Sequence, residues 1–411
     1  MIAPSARAAL LVAVAASALL SAPAAPRAAS ASAEVRALWV TRGSLVSPES
    51  VRAMVQSAAA SGFNTLLVQV RGRGDAYFTS GVEPRAAALA SQPPSFDPLA
   101  ATLALARAKG LRVHAWVNVN LTSSGADLPT SRAHVVYEHP EWLMVPRALA
   151  FELGRTDPRS PEYLGRLVRW TRSVRADVEG LYLSPVHAGA VDRLVAVVDE
   201  LVSRYSLDGL HLDYARYPSA QFDYSRGTLT AFRAAVASQL TPAERSRYGT
   251  KDVAELVSLT ELKPSQWADF RRSRLNAQVM RVRTVVKARR PDLILSAAVY
   301  PDSTEAASVR LQDWRSWVEH SLIDVICPMA YTPDTTAFAS QIASVRQFAS
   351  GRPVWAGIGA YRLSSSETIA NILTARRLGA DGIVLFSYDS VVRARNGADY
   401  LSSVGRAAFV P

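Results

Sequence analysis

The sequence predicts a single (β/α)8 barrel, and three observations support that fold. Short apolar segments alternate with segments of helical periodicity along most of the chain, which is typical of a parallel sheet with right-handed crossovers. Eight apolar segments occur, the number that closes such a barrel. Residues 34–411 make up 378 residues, enough for a minimal barrel of about 250 with insertions. The alternative doubly wound sheet predicts a G-x-G-x-x-G turn after its first strand, and Thr41–Pro48 does not supply it.

The predicted strands are rich in Val, Leu, Ile and aromatic residues and are apolar on both faces, as buried parallel strands are. They are Val35–Thr41, Thr65–Arg71, Val113–Asn118, Gly209–Asp213, Ile294–Tyr300, Asp324–Tyr331, Val354–Tyr361 and Gly382–Tyr388. Helix signals separate them. Asp97 and Pro98 supply an N-cap and a first-turn proline, and Ser364 and Glu367 have capping-box spacing.

Two connections are longer than a barrel needs. Residues 121–190 follow the third strand, and residues 215–264 follow the fourth. Both leave the carboxyl ends of strands, the rim on which barrel enzymes build their active sites. We therefore expect these insertions to shape a cleft for an extended substrate.

Residues 1–33 are predicted to be a secretory signal peptide. Arg7 precedes an apolar run at residues 8–20, and the segment ends in the A-x-A pattern of Ala31-Ser32-Ala33. The run is too short to span a bilayer, which takes about 20 residues, and no later run is longer. We expect the barrel, residues 34–411, to be secreted or periplasmic.

The composition excludes several classes of protein. With 49% hydrophobic and 20% charged residues, the chain is neither disordered nor collagenous. Cys327 is the single cysteine, so no internal disulfide forms. The net charge of +11 indicates either binding to anionic polymers outside the cell or a solvated surface without a partner. We do not expect a nucleic-acid partner. The six histidines lack metal-site spacing, so neither a metal nor another cofactor is expected.

The fourth strand carries the main candidate for catalysis. His211 and Asp213 are two residues apart and share a face. Asp213 is closer to the carboxyl end, so its carboxylate is expected to project into the cleft mouth, with Arg216 following. The alternative is a structural role in which Asp213 only orients His211 or binds Arg216.

The second strand ends with Gln69 and Arg71 on one face and Asp75 just beyond them. Either these side chains contact substrate, or Arg71 and Asp75 form only a structural ion pair; the sequence favours neither. Further aromatic and polar residues end other strands, and they are Trp116, Asn118, Tyr300, Asp302, Tyr331 and Tyr388. Rings beside carboxylates suit sugars, whose apolar C–H faces stack on aromatic side chains. Trp39 and Phe386 are predicted to lie in the core.

These motifs resemble the glycosyl hydrolase-like 10 family of secreted bacterial barrel proteins. The resemblance runs from about Glu34 to Ser390. Its matching segments are Glu34–Val40, Phe63–Thr65, Gln69–Arg71, Gly74–Tyr77, His114–Asn118, His139–Leu143, Asp208–Pro218, Asp324–Tyr331 and Gly382–Tyr388. It implies a (β/α)8 fold and hydrolysis of glycosidic bonds, in some relatives those of peptidoglycan glycan strands. Some relatives carry an acidic residue near the position of Arg73.

Glycoside hydrolysis needs two carboxylates, one that protonates the leaving oxygen and one that attacks carbon or activates water. Asp213 is predicted as nucleophile or base, and the acid as Asp75 in preference to Asp302. Arg71 and Arg73 count against Asp75, because cations lower the pKa of a nearby carboxyl. Gln69, Asn118, His211 and Tyr331 are predicted to orient sugar hydroxyls. The alternatives are a non-catalytic cell-wall glycan binder and a polysaccharide deacetylase, the latter requiring a metal cluster.

Overall fold

A computed structural model of the chain describes residue 1 and residues 34–249, 252–393 and 397–409. Apart from Met1, the predicted signal peptide at residues 1–33 lies outside the described residues and stays a prediction. Within the described ranges, no helix is both long enough and apolar enough to cross a bilayer.

Eight parallel strands close into a barrel, which confirms the predicted fold class. All strands, in chain order, are β1 Val35–Val40, β2 Thr65–Arg71, β3 Arg112–Asn118, β4 Leu121–Ser124, β5 Gly180–Tyr182, β6 Gly209–Asp213, β7 Ile294–Val299, β8 Val325–Ala330, β9 Trp355–Ile358 and β10 Gly382–Phe386. The barrel order is β1-β10-β9-β8-β7-β6-β3-β2, and β4 pairs with β5 in a separate antiparallel hairpin.

Helices surround the barrel and fill the insertions. They are α1 Pro48–Ala60, α2 Pro98–Ala108, α3 Val135–Glu138, α4 Ala150–Leu153, α5 Pro161–Ser173, α6 Ala188–Arg204, α7 Arg226–Val236, α8 Pro242–Arg247, α9 Val253–Leu262, α10 Pro264–Arg289, α11 Ser303–Val309, α12 Trp314–Glu319, α13 Thr335–Phe348, α14 Ser365–Arg377, α15 Tyr388–Arg393 and α16 Gly397–Ala408. The predicted caps are present. Asp97 accepts the Ala100 N–H at the start of α2, and Ser364 forms a capping box with Glu367 at α14.

The barrel interior is packed with side chains that alternate along each strand. An apolar cluster of Ala37, Trp39, Leu67, Trp116 and Cys327 belongs to this layer. Parallel pairing of β3 with β6 sets their inward residues at matching heights, with Trp116 opposite His211 and Asn118 opposite Asp213. The register therefore raises Asp213 to the top of the barrel.

Both insertions rise from the carboxyl ends of strands, and each has its own apolar core. The first contains β4, β5 and α3 to α5, packed around Val135, Leu143 and Leu167. The second contains α7 to α9, packed around Phe232 and Trp267. The second cluster also includes Ala150 of α4, so the two insertions pack against each other.

Candidate active site

A cleft of about 540 Å³ opens at the carboxyl ends of the barrel strands. Its walls combine aromatic rings, carboxylates and one guanidinium, which is the chemistry expected of a sugar site. The lining includes Trp39, Trp116, Glu179, Asp213, Tyr214, Arg216, Tyr300, Glu305, Tyr331, Tyr361 and Phe386. Five of the residues singled out from the sequence line this cleft: Trp116, Asp213, Arg216, Tyr300 and Tyr331.

Asp213 ends β6 and is 7% exposed at the base of the cleft. Its Oδ1 accepts two hydrogen bonds, at 2.6 Å from the Tyr214 backbone N–H and at 3.1 Å from Arg216. Burial raises the pKa of the Asp213 carboxyl, and the nearby Arg216 acts against that rise. The result is a firmly oriented carboxylate that is a stronger base than an ordinary aspartate.

The backbone next to Asp213 is held in an unusual conformation. Tyr214 has φ of 51°, a left-handed value that costs a residue with a side chain free energy. This turn aims the Tyr214 N–H at Asp213 and lays the Tyr214 ring under Arg216, with 3.9 Å between the guanidinium carbon and the ring centroid. Such outliers concentrate at functional sites.

Glu179 is a second carboxylate of the cleft that the sequence did not predict. It lies in the first insertion just before β5, and its side chain is 35% exposed. Arg216 contacts Glu179 Oε1 at 3.9 Å while it binds Asp213 at 3.1 Å. The Tyr182 hydroxyl donates to Glu179 Oε2 at 2.7 Å. One guanidinium thus holds two carboxylates on the same wall.

Aromatic rings form the floor of the cleft. Tyr331 stacks on Phe386 with 5.2 Å between centroids, and Trp39 packs edge-on against both rings. Trp39 is 1% exposed, so it lies in the core as predicted, directly beneath the cleft. Tyr361 stands at the rim and is 50% exposed, which leaves its ring open to a ligand.

His211 is buried beneath this floor. Its Nε2 accepts the Trp39 indole N–H at 2.9 Å, so the proton is on Nδ1, which lies 2.9 Å from the Ser296 hydroxyl. Burial, with a contribution from His114, lowers the pKa of His211 well below its ordinary value. A neutral imidazole with both nitrogens engaged orients Trp39 and does not reach the cleft.

Gln69, Arg71 and Asn118 form an internal network. The Asn118 Oδ1 accepts the Trp116 indole N–H at 2.9 Å and its amide donates to the Gly72 carbonyl at 2.8 Å. The Arg71 side chain is fully buried and pairs with Glu83 at 2.8 Å, not with Asp75. All three side chains are buried, and none of them lines the cleft.

Breaking the Arg71–Glu83 pair is expected to destabilise the fold. Glu83→Gln leaves the buried guanidinium without its counter-charge, at a cost of about 3–5 kcal/mol. Urea unfolding followed by tryptophan fluorescence measures the change. Glu162→Gln, which removes a surface partner of Arg166 with 58% exposure, is the matched control and should cost less than about 1 kcal/mol. Equal effects of the two variants would contradict a stabilising role for the buried pair.

The structure does not bring Asp75, Asp302 or Tyr388 into the cleft. Asp75 lines a separate side cleft and accepts the Arg73 backbone N–H at 3.0 Å. Asp302 is exposed and caps α11 by accepting the Thr304 and Glu305 N–H groups. Tyr388 begins α15 after β10 has ended and packs in the core outside the barrel. Among the described residues, no group of three or more His, Cys, Asp or Glu is arranged to hold a metal ion.

A closed (β/α)8 barrel whose carboxyl-end cleft combines stacked aromatic rings with carboxylates defines a glycoside hydrolase-like protein. The chain belongs to the glycosyl hydrolase-like 10 family, whose model matches residues 34–361. This confirms the resemblance seen in the sequence motifs.

Two curated relatives are similar over 66% of this chain. The glycosyl hydrolase YngK of Bacillus subtilis (strain 168) is 24% identical over 292 residues, and the glycosyl hydrolase DigH of Escherichia coli (strain K12) is 27% identical over 282 residues. The aligned part makes up 46% of YngK and 55% of DigH, so the chain matches about half the length of each relative.

Solved structures share the fold. The glycoside hydrolase domain of PgaB (BpsB) from Bordetella bronchiseptica superposes with a TM-score of 0.62 at 15% identity, over 92% of this chain and 100% of that one. The catalytic domain of β-amylase from Paenibacillus polymyxa gives 0.59 at 10% identity, over 91% and 97%. At these identities the likeness establishes the barrel architecture.

Proposed function

We propose that this protein is a secreted glycoside hydrolase that cleaves a bacterial polysaccharide, with Asp213 and Glu179 as its carboxylate pair. The observation that carries the proposal is the shared contact of both carboxylates with Arg216 inside an aromatic cleft. Two carboxylates in a sugar-binding cleft are the minimum machinery for this reaction.

Asp213 is assigned the role of nucleophile or base. Both its Oδ1 hydrogen bonds come from within the protein, which fixes the carboxylate plane and leaves Oδ2 for the sugar or a water. Glu179 is assigned as proton donor to the leaving oxygen. Its side chain is partly exposed to the cleft, and it contacts the terminal nitrogen of Arg216 that does not bind Asp213. This assignment replaces Asp75 and Asp302 as candidate acids.

The separation of the two carboxylates bears on stereochemistry. Both touch terminal nitrogens of one guanidinium, at 3.1 and 3.9 Å. These contacts limit the oxygen-to-oxygen distance to about 9 Å, given the fixed geometry of the guanidinium fork. That limit includes the retaining distance of about 5 Å and most of the inverting range of about 6.5–9.5 Å.

The polymer is proposed to be a wall or capsule polysaccharide, with peptidoglycan glycan strands as the first candidate. Tyr361 and Tyr331 offer faces for stacking, and the first insertion contributes Glu179 to the wall. The basic charge of the chain would favour an anionic polymer.

A substrate panel tests the proposal. Purified protein is incubated with peptidoglycan strands stripped of peptides, with a uronic-acid polymer and with a neutral amino-sugar polymer, and new reducing ends are counted. The expected result is release of oligosaccharides from at least one polymer. Binding to a polymer without any release would contradict a hydrolase and support the glycan-binding alternative.

Arg216 is expected to control the pH dependence of the reaction. A base must be ionised, so kcat/KM should rise with pH through the pKa of Asp213, which burial places above the ordinary value. The Arg216→Gln substitution removes a cation that lowers this pKa. The rise of kcat/KM on the acid side of the pH profile should therefore move to higher pH.

Arg216→Lys is the control, because it keeps the charge and should shift the limb less. The pH profile of kcat/KM separates this effect from a simple loss of activity. A limb that stays in place or moves to lower pH in Arg216→Gln would contradict Asp213 as the titrating base.

A further inference from the structure

A side cleft of about 280 Å³ lies on the same rim as the main cleft. Hydroxyl groups of Ser123, Ser124 and Ser131 line it together with Arg73. Arg73 is close to the main cleft, because the carbonyl of the preceding Gly72 accepts the Asn118 amide at 2.8 Å and Asn118 accepts the indole N–H of Trp116, which lines that cleft. A glycan seated at Asp213 could therefore extend towards Arg73.

Two guanidinium groups meet in this region without an ion-pair partner. Arg42 donates to Gln69 Oε1 at 3.0 Å and packs against Gly72, the residue before Arg73. Burial and repulsion by Arg42 lower the pKa of Arg73. In the described part of the chain neither arginine forms a salt bridge, and the Arg73 Nε is buried without a hydrogen-bond partner. Buried cations normally have an anion nearby, so this pair leaves a place for one.

The carboxylates of the side cleft do not fill that place. Asp75 accepts the Arg73 backbone N–H at 3.0 Å, and among the described residues it forms no salt bridge with the Arg73 or Arg42 guanidinium. Asp127 is exposed and makes no salt bridge to either arginine. Because neither carboxylate forms a salt bridge with Arg42 or Arg73, an incoming anion would neutralise the charge of these two guanidinium groups.

We propose that Arg42 and Arg73 form an anion subsite that binds the carboxylate of a charged sugar unit of the glycan. The inference rests on the proposed function and narrows its substrate class to carboxylate-bearing polysaccharides. Guanidinium groups bind carboxylates through paired hydrogen bonds, and the serine hydroxyls beside Arg73 suit the remaining sugar oxygens. A uronic acid and the lactyl ether of a muramic acid both supply this chemistry.

The test compares each polymer with its carboxyl-reduced form. Denuded peptidoglycan strands and a uronic-acid polymer are each assayed before and after reduction of their carboxyl groups to alcohols. Arg73→Gln should lower kcat/KM by about 10- to 100-fold on the carboxylated form and leave the reduced form unchanged. Arg73→Lys should restore part of the loss. The polymer that shows the effect identifies the source of the carboxylate.

Arg107→Gln is the matched control. Arg107 is an exposed arginine in the last turn of α2, which leads into the opposite end of the barrel. The substitution removes the same charge and should leave kcat/KM unchanged on both the carboxylated and the reduced polymer. Equal kcat/KM on carboxylated and reduced polymers, unaltered by Arg73→Gln, would overturn the subsite while leaving the hydrolase proposal in place.

Calorimetric binding distinguishes the two proposals if no polymer is cleaved. Carboxylated oligosaccharides that bind the wild-type protein, and bind at least tenfold more weakly to Arg73→Gln, would support the subsite and reject the hydrolase. Binding that does not depend on the carboxylate or on Arg73 would overturn the subsite.

Discussion

Asp213→Asn is expected to reduce kcat by about 10⁴-fold, close to 5.5 kcal/mol of transition-state stabilisation. Asparagine keeps the size of the side chain and can still accept the Tyr214 N–H, so the cleft keeps its shape. It cannot attack the anomeric carbon or deprotonate water. Initial rates of reducing-end formation on the polymer that the wild-type protein cleaves measure the loss.

Asp334→Asn is the matched control for this variant. Asp334 also follows a barrel strand, but it is exposed and caps α13, a role that asparagine fills equally well. The control should keep wild-type rates. Activity retained by Asp213→Asn, with an unchanged melting temperature, would show that another group performs the attack.

Glu179→Gln is expected to lower kcat by about 10²- to 10⁴-fold on natural glycans, the usual contribution of a general acid. The loss should nearly vanish on aryl glycosides with acidic leaving groups, because such groups depart without protonation. Comparing kcat on the two substrate types therefore separates loss of the proton donor from loss of structure.

Asp177→Asn controls for the position of Glu179. Asp177 is exposed and lies two residues earlier in the same loop. Its substitution should therefore leave kcat unchanged on both natural glycans and aryl glycosides. An equal loss on glycans and on activated aryl glycosides in Glu179→Gln would contradict its role as the acid and assign it to positioning Arg216.

Hydrophobic pattern was sufficient to predict the barrel but not where each strand ends. All eight predicted segments are barrel strands, because buried parallel strands are continuous apolar runs. The last one was predicted to continue to Tyr388, whereas β10 ends at Phe386 and Tyr388 begins α15. That change of backbone direction turns Tyr388 away from the cleft and leaves Phe386 facing it.

The period of two in a strand predicts the face of a side chain but not its depth. Gln69, Asn118 and His211 point into the barrel with Asp213, yet they are covered and bind one another or Trp39. Asn118 is level with Asp213 in the pairing of β3 with β6 but is fully buried. Exposure to the cleft therefore depends on which side chains cover each position, and the sequence of one strand does not contain that information.

Glu179 could not be predicted from strand periodicity because an insertion, not a barrel strand, carries it. The one local signal is its place just before Gly180 and three residues before Tyr182, in a short apolar segment of the first insertion. Its place beside Arg216 depends on pairing of β4 with β5, a contact between residues about 60 apart in the chain.

Cleavage of the glycan in ¹⁸O-labelled water tests the central claim most directly. If Asp213 and Glu179 hydrolyse a glycosidic bond, mass spectrometry will show one ¹⁸O atom at each newly formed reducing end, and the labelled fragments will be absent with Asp213→Asn. Unlabelled fragments, no fragments, or equal labelling by Asp213→Asn would contradict hydrolysis by this carboxylate pair.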